Sequence, residues 1–203
     1  MSVKIKLCGM FREQDIDYVN EAMPDYIGFI VMFPKSHRNI DLQTALKLKK
    51  RLSPKTKSIV VSVNAPPEDF AEFANSGAAD MLQLHGNENA DYIAKLRRLT
   101  DVPLIKAVKV TEFSDIEKAQ QLDADFLLLD SGTGSGKLFD HSLINREKIT
   151  KPFFLAGGLT PENISRIARD IQPFGVDLSS GIETDGFKDR EKILAAVRAA
   201  RDI

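Results

Sequence analysis

Several things are missing from this 203-residue chain, and each absence narrows its chemistry. There is no tryptophan and only one cysteine, Cys8, so an internal disulfide framework and a cysteine-rich zinc site are excluded. The three histidines, His37, His85 and His141, share no metal-ligand spacing with each other or with Cys8, so no metal is expected. No apolar run is long enough to span a bilayer, and Met1-Ser2-Val3-Lys4 lacks a signal-peptide core, so no membrane contact and a cytoplasmic location are expected. A net charge of −1 supplies no global field for nucleic acid. Gly/Ser linkers and low-complexity tracts are also lacking, and one domain over residues 1–203 is expected.

What is present is a rhythm. Short runs rich in Val, Ile, Leu and Phe occur at residues 4–7, 26–31, 57–62, 81–84, 104–107, 126–129, 153–156 and 175–177. They do not alternate with polar residues, which is how strands buried on both faces read. Amphipathic helix patterns separate them, at 12–23, 41–52, 67–76, 90–99, 112–122, 163–170 and 188–201, with a weak one near 141–148. Thr160-Pro161-Glu162 offers an N-cap followed by Pro at the first helical position. Lys47, Lys49, Lys50, Arg51, Lys55 and Lys57 read as a solvated helix face and the turn after it. Eight strand–helix units match an α/β fold of the (β/α)8 barrel type, although a doubly wound open sheet also alternates this way. In a barrel, chemistry sits where strands end.

Polar residues collect at those ends. Cys8 follows the first strand, as a reactive thiol or as a small buried hydrophobe. Arg38, in Phe33-Pro34-Lys35-Ser36-His37-Arg38, suits a two-pronged bond to a carboxylate or a surface salt bridge. Gln83, His85 and Gly86 follow the fourth strand. Asp130 closes the sixth, as a general acid or as an acceptor for loop N–H groups. Gly157 and Gly158 follow the seventh, and Asp177, Ser179, Ser180 and Gly181 the eighth. Glycine loops after the last two strands are where such barrels hold phosphate; the alternative is a pair of tight turns. Ser131-Gly132-Thr133-Gly134-Ser135-Gly136-Lys137 looks like a nucleotide P-loop. Its spacing fails, however: the first required glycine falls at Ser131, and Leu138 replaces the hydroxyl residue.

Taken in order, Lys6-Leu7-Cys8-Gly9-Met10, Gly28-Phe29 with residues 34–38, Gln83-Leu84-His85-Gly86, Leu128-Leu129-Asp130, residues 134–140, residues 155–163 and residues 176–183 closely resemble the phosphoribosylanthranilate isomerase family of tryptophan biosynthesis. The resemblance spans almost the whole chain. It implies a (β/α)8 barrel performing an Amadori rearrangement of a phosphosugar, without cofactor or metal. Cys8 would be the general base and Asp130 the general acid. Arg38 would hold the anthranilate carboxylate, and Gly157, Gly158, Ser179, Ser180 and Gly181 the phosphate. His85 and Asp177 remain candidates for further substrate contacts. A thiol with an ordinary pKa of about 8.5 needs only a modest shift to act near neutrality.

The sequence departs from the family pattern at Phe11, Ser62 and His141, and in a short segment after Asp130. A lyase or synthase on the same barrel would need a lysine at a strand end, for which Lys106 is the candidate. A non-catalytic phosphosugar sensor would need neither Cys8 nor Asp130. A monomer and a homodimer stay equally open.

Overall fold

Every expected apolar run forms a parallel strand. In the computed structural model, which describes residues 3–130 and 143–203, these strands are β1 (Lys4–Cys8), β2 (Tyr26–Val31), β4 (Lys57–Ser62), β5 (Met81–Leu84), β6 (Leu104–Lys109), β7 (Phe126–Asp130), β8 (Phe153–Leu155) and β9 (Gly175–Leu178). β1 pairs with both β2 and β9, so the sheet closes on itself, and the barrel rather than the open sheet is the architecture. A two-residue strand, β3 (Asn39–Ile40), adds to β2, and a small hairpin, β10 (Glu183–Thr184) with β11 (Phe187–Lys188), follows β9. Neither was expected.

Among the described residues seven helices, α1 (Glu13–Ala22), α2 (Leu42–Arg51), α3 (Pro67–Asn75), α4 (Ala90–Arg97), α5 (Phe113–Gln120), α6 (Ile164–Ile171) and α7 (Arg190–Arg201), surround the strands. Each buries one stripe; in α6 the stripe is Ile164, Ile167, Ala168 and Ile171, the one-face spacing of an α-helix. The helical pattern expected near 141–148 resolves, in its described part, to no α-helix, with a 3-10 turn at Arg146–Lys148. α6 begins at Ile164, within a residue of the expected start; Thr160-Pro161 opens the turn ahead of it, the Ile164 N–H donating to the Thr160 carbonyl and Asn163 Oδ1 accepting from the Thr160 N–H at 2.9 Å. α7 begins at Arg190 rather than Lys188, because Asp189 accepts from the Lys192 N–H and serves as the N-cap. The basic residues of α2 do sit on a solvated face: Lys47 and Arg51 pair with Glu13, and Arg51 also with Asp17.

Strand parity divides the interior. Inward side chains form one cluster of Cys8, Ile59, Val61, Met81, Ile105, Ala107, Leu128, Phe154 and Ala156. Outward ones join the larger layer beneath the helices. Phe126, Phe154 and Phe174 stack edge-on and tilted at 5.1–6.1 Å, with Tyr26 against Phe154, and fill the end of the barrel where the strands begin. The open end lies opposite, where the strands finish.

Candidate active site

A cavity of about 280 Å³ opens at that end, and Cys8, Asp130, His85, Gln83, Asp177, Gly157, Gly158, Ser179, Ser180 and Gly181 all line it. Residues from five strand ends thus meet at one place.

Cys8 is almost fully buried at the end of β1. Its partner across the strand pair is Gly28, and a Cβ there would lie 2.7 Å from Cys8 Sγ. The glycine gives the sulfur its room. Two buried ammonium groups, Lys6 and Lys188, pull the thiol toward ionisation, while Asp177 resists it. Burial outweighs them and pushes the Cys8 thiol up. The sequence pointed to a shift toward neutrality; desolvation inside the barrel reverses that direction.

Lys6 shares the inner face of β1 with Cys8 and has no exposed surface. Its Nζ donates to both Asp177 oxygens, at 3.0 and 2.9 Å. Burial works against the ammonium, but the Asp177 carboxylate and the Cys8 sulfur together more than offset it and raise the Lys6 pKa. Asp177 therefore lines the cavity as half of a buried ion pair rather than as a free carboxylate.

His85 stands beside Asp130, with Nε2 at 3.8 Å from its Oδ2. The Gln83 amide donates to His85 Nδ1 at 2.8 Å, so in the neutral ring the proton sits on Nε2, facing the carboxylate. Over a third of the His85 side chain is reachable by solvent, yet the ring lies in a concave mouth crowded by protein. That desolvation lowers its pKa in spite of Asp130 and favours the neutral form.

The two glycine loops lock together. Gly157 and Gly158 have φ of 92° and 68°, a region closed to most side chains. A Cβ on Gly181 would lie 2.1 Å from the Leu159 carbonyl oxygen. Asn163 ties the first loop down by donating to the Gly158 carbonyl at 3.0 Å. In the second loop the Ser179 hydroxyl reaches the Cys8 carbonyl at 3.3 Å, linking it to the end of β1.

Arg38 falls outside the residues that line the cavity. It packs over Gly9, where a Cβ would meet its Cδ at 2.5 Å, and its Nε and Nη2 grip Glu183 at 2.7 and 2.5 Å. Arg38 thus makes a two-pronged carboxylate bond, but to the internal partner Glu183 and not to a substrate. Glu183 and Lys188 were missed by sequence reasoning, though Asp185-Gly186 is a hairpin signal that would have brought them together.

Lys106 is absent from the cavity. It lies on the outer face of β6, between the inward Ile105 and Ala107, and its Nζ bonds Glu88 at 2.7 Å and the Gly86 carbonyl at 2.5 Å. Phe11 stacks on Phe187 and meets the His37 ring edge-on. Ser62 is buried in β4. No group of three potential metal-ligating side chains occurs among the described residues. The P-loop lookalike and His141 lie outside the described residues.

A (β/α)8 barrel whose open end gathers a thiol, a carboxyl and two glycine loops around one cavity has the layout of a small-molecule enzyme. Residues 3–199 match the family model described as N-(5'phosphoribosyl)anthranilate (PRA) isomerase. The N-(5'-phosphoribosyl)anthranilate isomerase of Clostridium acetobutylicum is 43% identical, with 98% of each chain covered, and that of Thermoanaerobacter pseudethanolicus 36%, with 99% of each. The crystal structure of the Thermotoga maritima phosphoribosylanthranilate isomerase superposes with a TM-score of 0.87 at 33% identity, over 99% of this chain and 100% of that one. A phosphoribosylanthranilate isomerase in complex with reduced 1-(o-carboxyphenylamino)-1-deoxyribulose 5-phosphate superposes at 0.85 with 32% identity, over 99% of this chain and 100% of that one. The chain belongs to the N-(5'-phosphoribosyl)anthranilate isomerase family and is an isomerase. No helix among the described residues is long and apolar enough to cross a membrane.

Proposed function

We propose that the protein converts N-(5-phosphoribosyl)anthranilate to 1-(2-carboxyphenylamino)-1-deoxyribulose 5-phosphate, with Asp130 as general acid and Cys8 as general base. One observation carries the assignment: both groups border the same cavity, beside the two interlocked glycine loops. The loops, through Gly157, Gly158, Ser179, Ser180 and Gly181, hold the phosphate. Arg38 holds the aryl carboxylate.

Asp130 donates its proton to the furanose ring oxygen. The C1′–O bond breaks as the anthranilate nitrogen lone pair forms C1′=N, giving an open-chain iminium. The Cys8 thiolate takes the C2′ proton. The C–H electron pair becomes C1′=C2′ and the iminium electrons return to nitrogen, producing an enolamine. Protonation at C1′ and loss of the C2′ hydroxyl proton give the ketone. An acid and a base on separate parts of the sugar are the minimum this relocation needs, each contributing about 10²–10⁴-fold.

The whole chain acts as one domain, and the substrate and its pathway fit a cytoplasmic enzyme. The test is to add purified protein to freshly made phosphoribosylanthranilate and follow loss of its fluorescence. Cys8→Ser and Asp130→Asn should each lower kcat at least ~10²-fold with smaller changes in KM. Wild-type turnover in either variant overturns the assignment.

A further inference from the structure

The hairpin after β9 buries a charged pair, Glu183 and Lys188, to which the reaction just described gives no role. β10 and β11 pair so that Glu183 lies directly opposite Lys188. The turn residues Asp185 and Gly186 have φ of 52° and 80°, the left-handed pair a two-residue type I′ turn requires. Turn chemistry therefore fixes the register, and register fixes the pair. The Lys188 side chain has no exposed surface, and that of Glu183 only 6%.

Two cations meet on Glu183 through three bonds. Its Oε1 accepts from Lys188 Nζ at 2.5 Å and from Arg38 Nε at 2.7 Å, and its Oε2 from Arg38 Nη2 at 2.5 Å. Lys188 Nζ also donates to the Ser179 carbonyl at 3.1 Å, next to the second glycine loop. A guanidinium has two edges that can grip a carboxylate. Glu183 takes the side edge, Nε with Nη2. The end edge, Nη1 with the second Nη2 hydrogen, makes no bond to a described residue.

A carboxylate this close should cancel the charge that an incoming anion would meet at Arg38. Lys188 prevents the cancellation. Two cations share one anion, leaving one positive charge unbalanced in a setting where dielectric screening is weak. Burial lowers the Lys188 pKa, and Glu183 opposes that shift. We propose that Glu183 and Lys188 are positioning residues for Arg38: Glu183 fixes the plane of the guanidinium, and Lys188 neutralises Glu183 so that the open edge of Arg38 keeps its charge for a substrate aryl carboxylate. The proposal rests on the reading of Arg38 as the group that holds that carboxylate.

The experiment measures binding by calorimetry for two stable analogues. One is reduced 1-(o-carboxyphenylamino)-1-deoxyribulose 5-phosphate, and the other the same molecule with a plain phenyl ring. Lys188→Met should weaken the carboxylated analogue about 10- to 100-fold, the value of a charge-assisted contact, and the phenyl analogue less than about 3-fold. Lys188→Arg should restore most of the loss. The double variant Lys188→Met/Glu183→Gln, in which Arg38 is again the unbalanced charge, should bind the carboxylated analogue more tightly than Lys188→Met does. That recovery is not expected from a purely structural role, and the double variant also serves if Lys188→Met folds poorly.

Equal weakening of both analogues, or no recovery in the double variant, overturns the proposal. Arg38→Met tests the underlying reading separately. If it weakens both analogues alike, Arg38 does not hold the carboxylate, and the reading and the proposal fall together. If Arg38→Met discriminates between the analogues and Lys188→Met does not, only the proposal falls.

Discussion

Replacing Gly181 by alanine places one methyl group between the two loops assigned to the phosphate. The added Cβ would lie 2.1 Å from the Leu159 carbonyl oxygen, 3.1 Å from its carbon and 3.3 Å from Thr160 Cα. Real Cβ atoms essentially never approach a neighbour within 3.0 Å. All three neighbours are backbone, so no side chain can swing away, and the loops must part by about 0.9 Å. Overpacking of this kind costs about 1–3 kcal/mol. At this chain length that lowers the midpoint of thermal unfolding by roughly 2–12 °C. A shift near 1 Å also misplaces the phosphate donors, for which a penalty up to ~10²-fold is the right order. Steady-state fluorescence kinetics should show a raised KM, with kcat less affected, because the methyl presses on the Leu159 and Thr160 backbone of the loop assigned to binding and on neither Cys8 nor Asp130. Gly77→Ala is the matched control. It has φ of +83° and nothing within 4 Å, so it carries backbone strain of roughly 1 kcal/mol without touching the site. A Gly181→Ala enzyme with wild-type KM and an unchanged midpoint would refute the assignment of these loops to one shared anion site.

Three other outcomes follow from the charges. Because burial holds the Cys8 thiol above its usual range, little thiolate exists at neutral pH, and kcat/KM should climb between about pH 7 and 9; a flat profile over that interval would remove Cys8 as the base. Lys6→Met strands the Asp177 carboxylate in the barrel interior and should cost about 3–5 kcal/mol in urea unfolding, with Lys6→Met/Asp177→Leu recovering much of it; a loss below about 1 kcal/mol would mean that the pair is not truly desolvated. Burial alone would raise the Glu183 pKa, but the bonds from Arg38 and Lys188 outweigh it and hold the carboxyl below its ordinary value. That stabilisation is present above the unfolded pKa near 4.3 and is lost as pH falls through the lower folded value. Unfolding midpoints recorded from about pH 6 downward should fall less steeply in Glu183→Gln; equal slopes would contradict the shift.

The barrel was legible because strands covered on both faces must be apolar throughout, and eight such runs stand out from a 28% charged background. β6 runs two residues further than its apolar stretch, through Lys109, because the last of these residues are only partly covered or exposed and need no apolar side chain. β3 and the β10–β11 hairpin have two residues per strand, too few for any periodicity to register. Asp185-Gly186 was nonetheless readable as a turn, and reading it would have moved the start of α7 past Lys188. The cavity was legible for a related reason: parallel strands all end on one side, so residues at strand ends gather there whatever their separation in sequence. Partnership was not legible. Arg38 and Glu183 are 145 residues apart, and nothing local marks which carboxylate a given guanidinium will find.

Strand parity also decides between two chemistries that the same barrel could host. Ring-closing or Schiff-base work needs an amine that can reach substrate. Lys106 follows the inward Ile105 and precedes the inward Ala107, so its side chain must leave the barrel, and Glu88 with the Gly86 carbonyl holds it there. Lys6 does point inward, yet it is fully buried and both oxygens of Asp177 occupy it. Lys188 is equally enclosed, between Glu183 and the Ser179 carbonyl. Each of these amines is committed to a structural partner, whereas Cys8 and Asp130 border the cavity itself. Among the described residues these three lysines turn to other partners while a thiol and a carboxyl border the cavity, an arrangement that suits moving protons between substrate atoms.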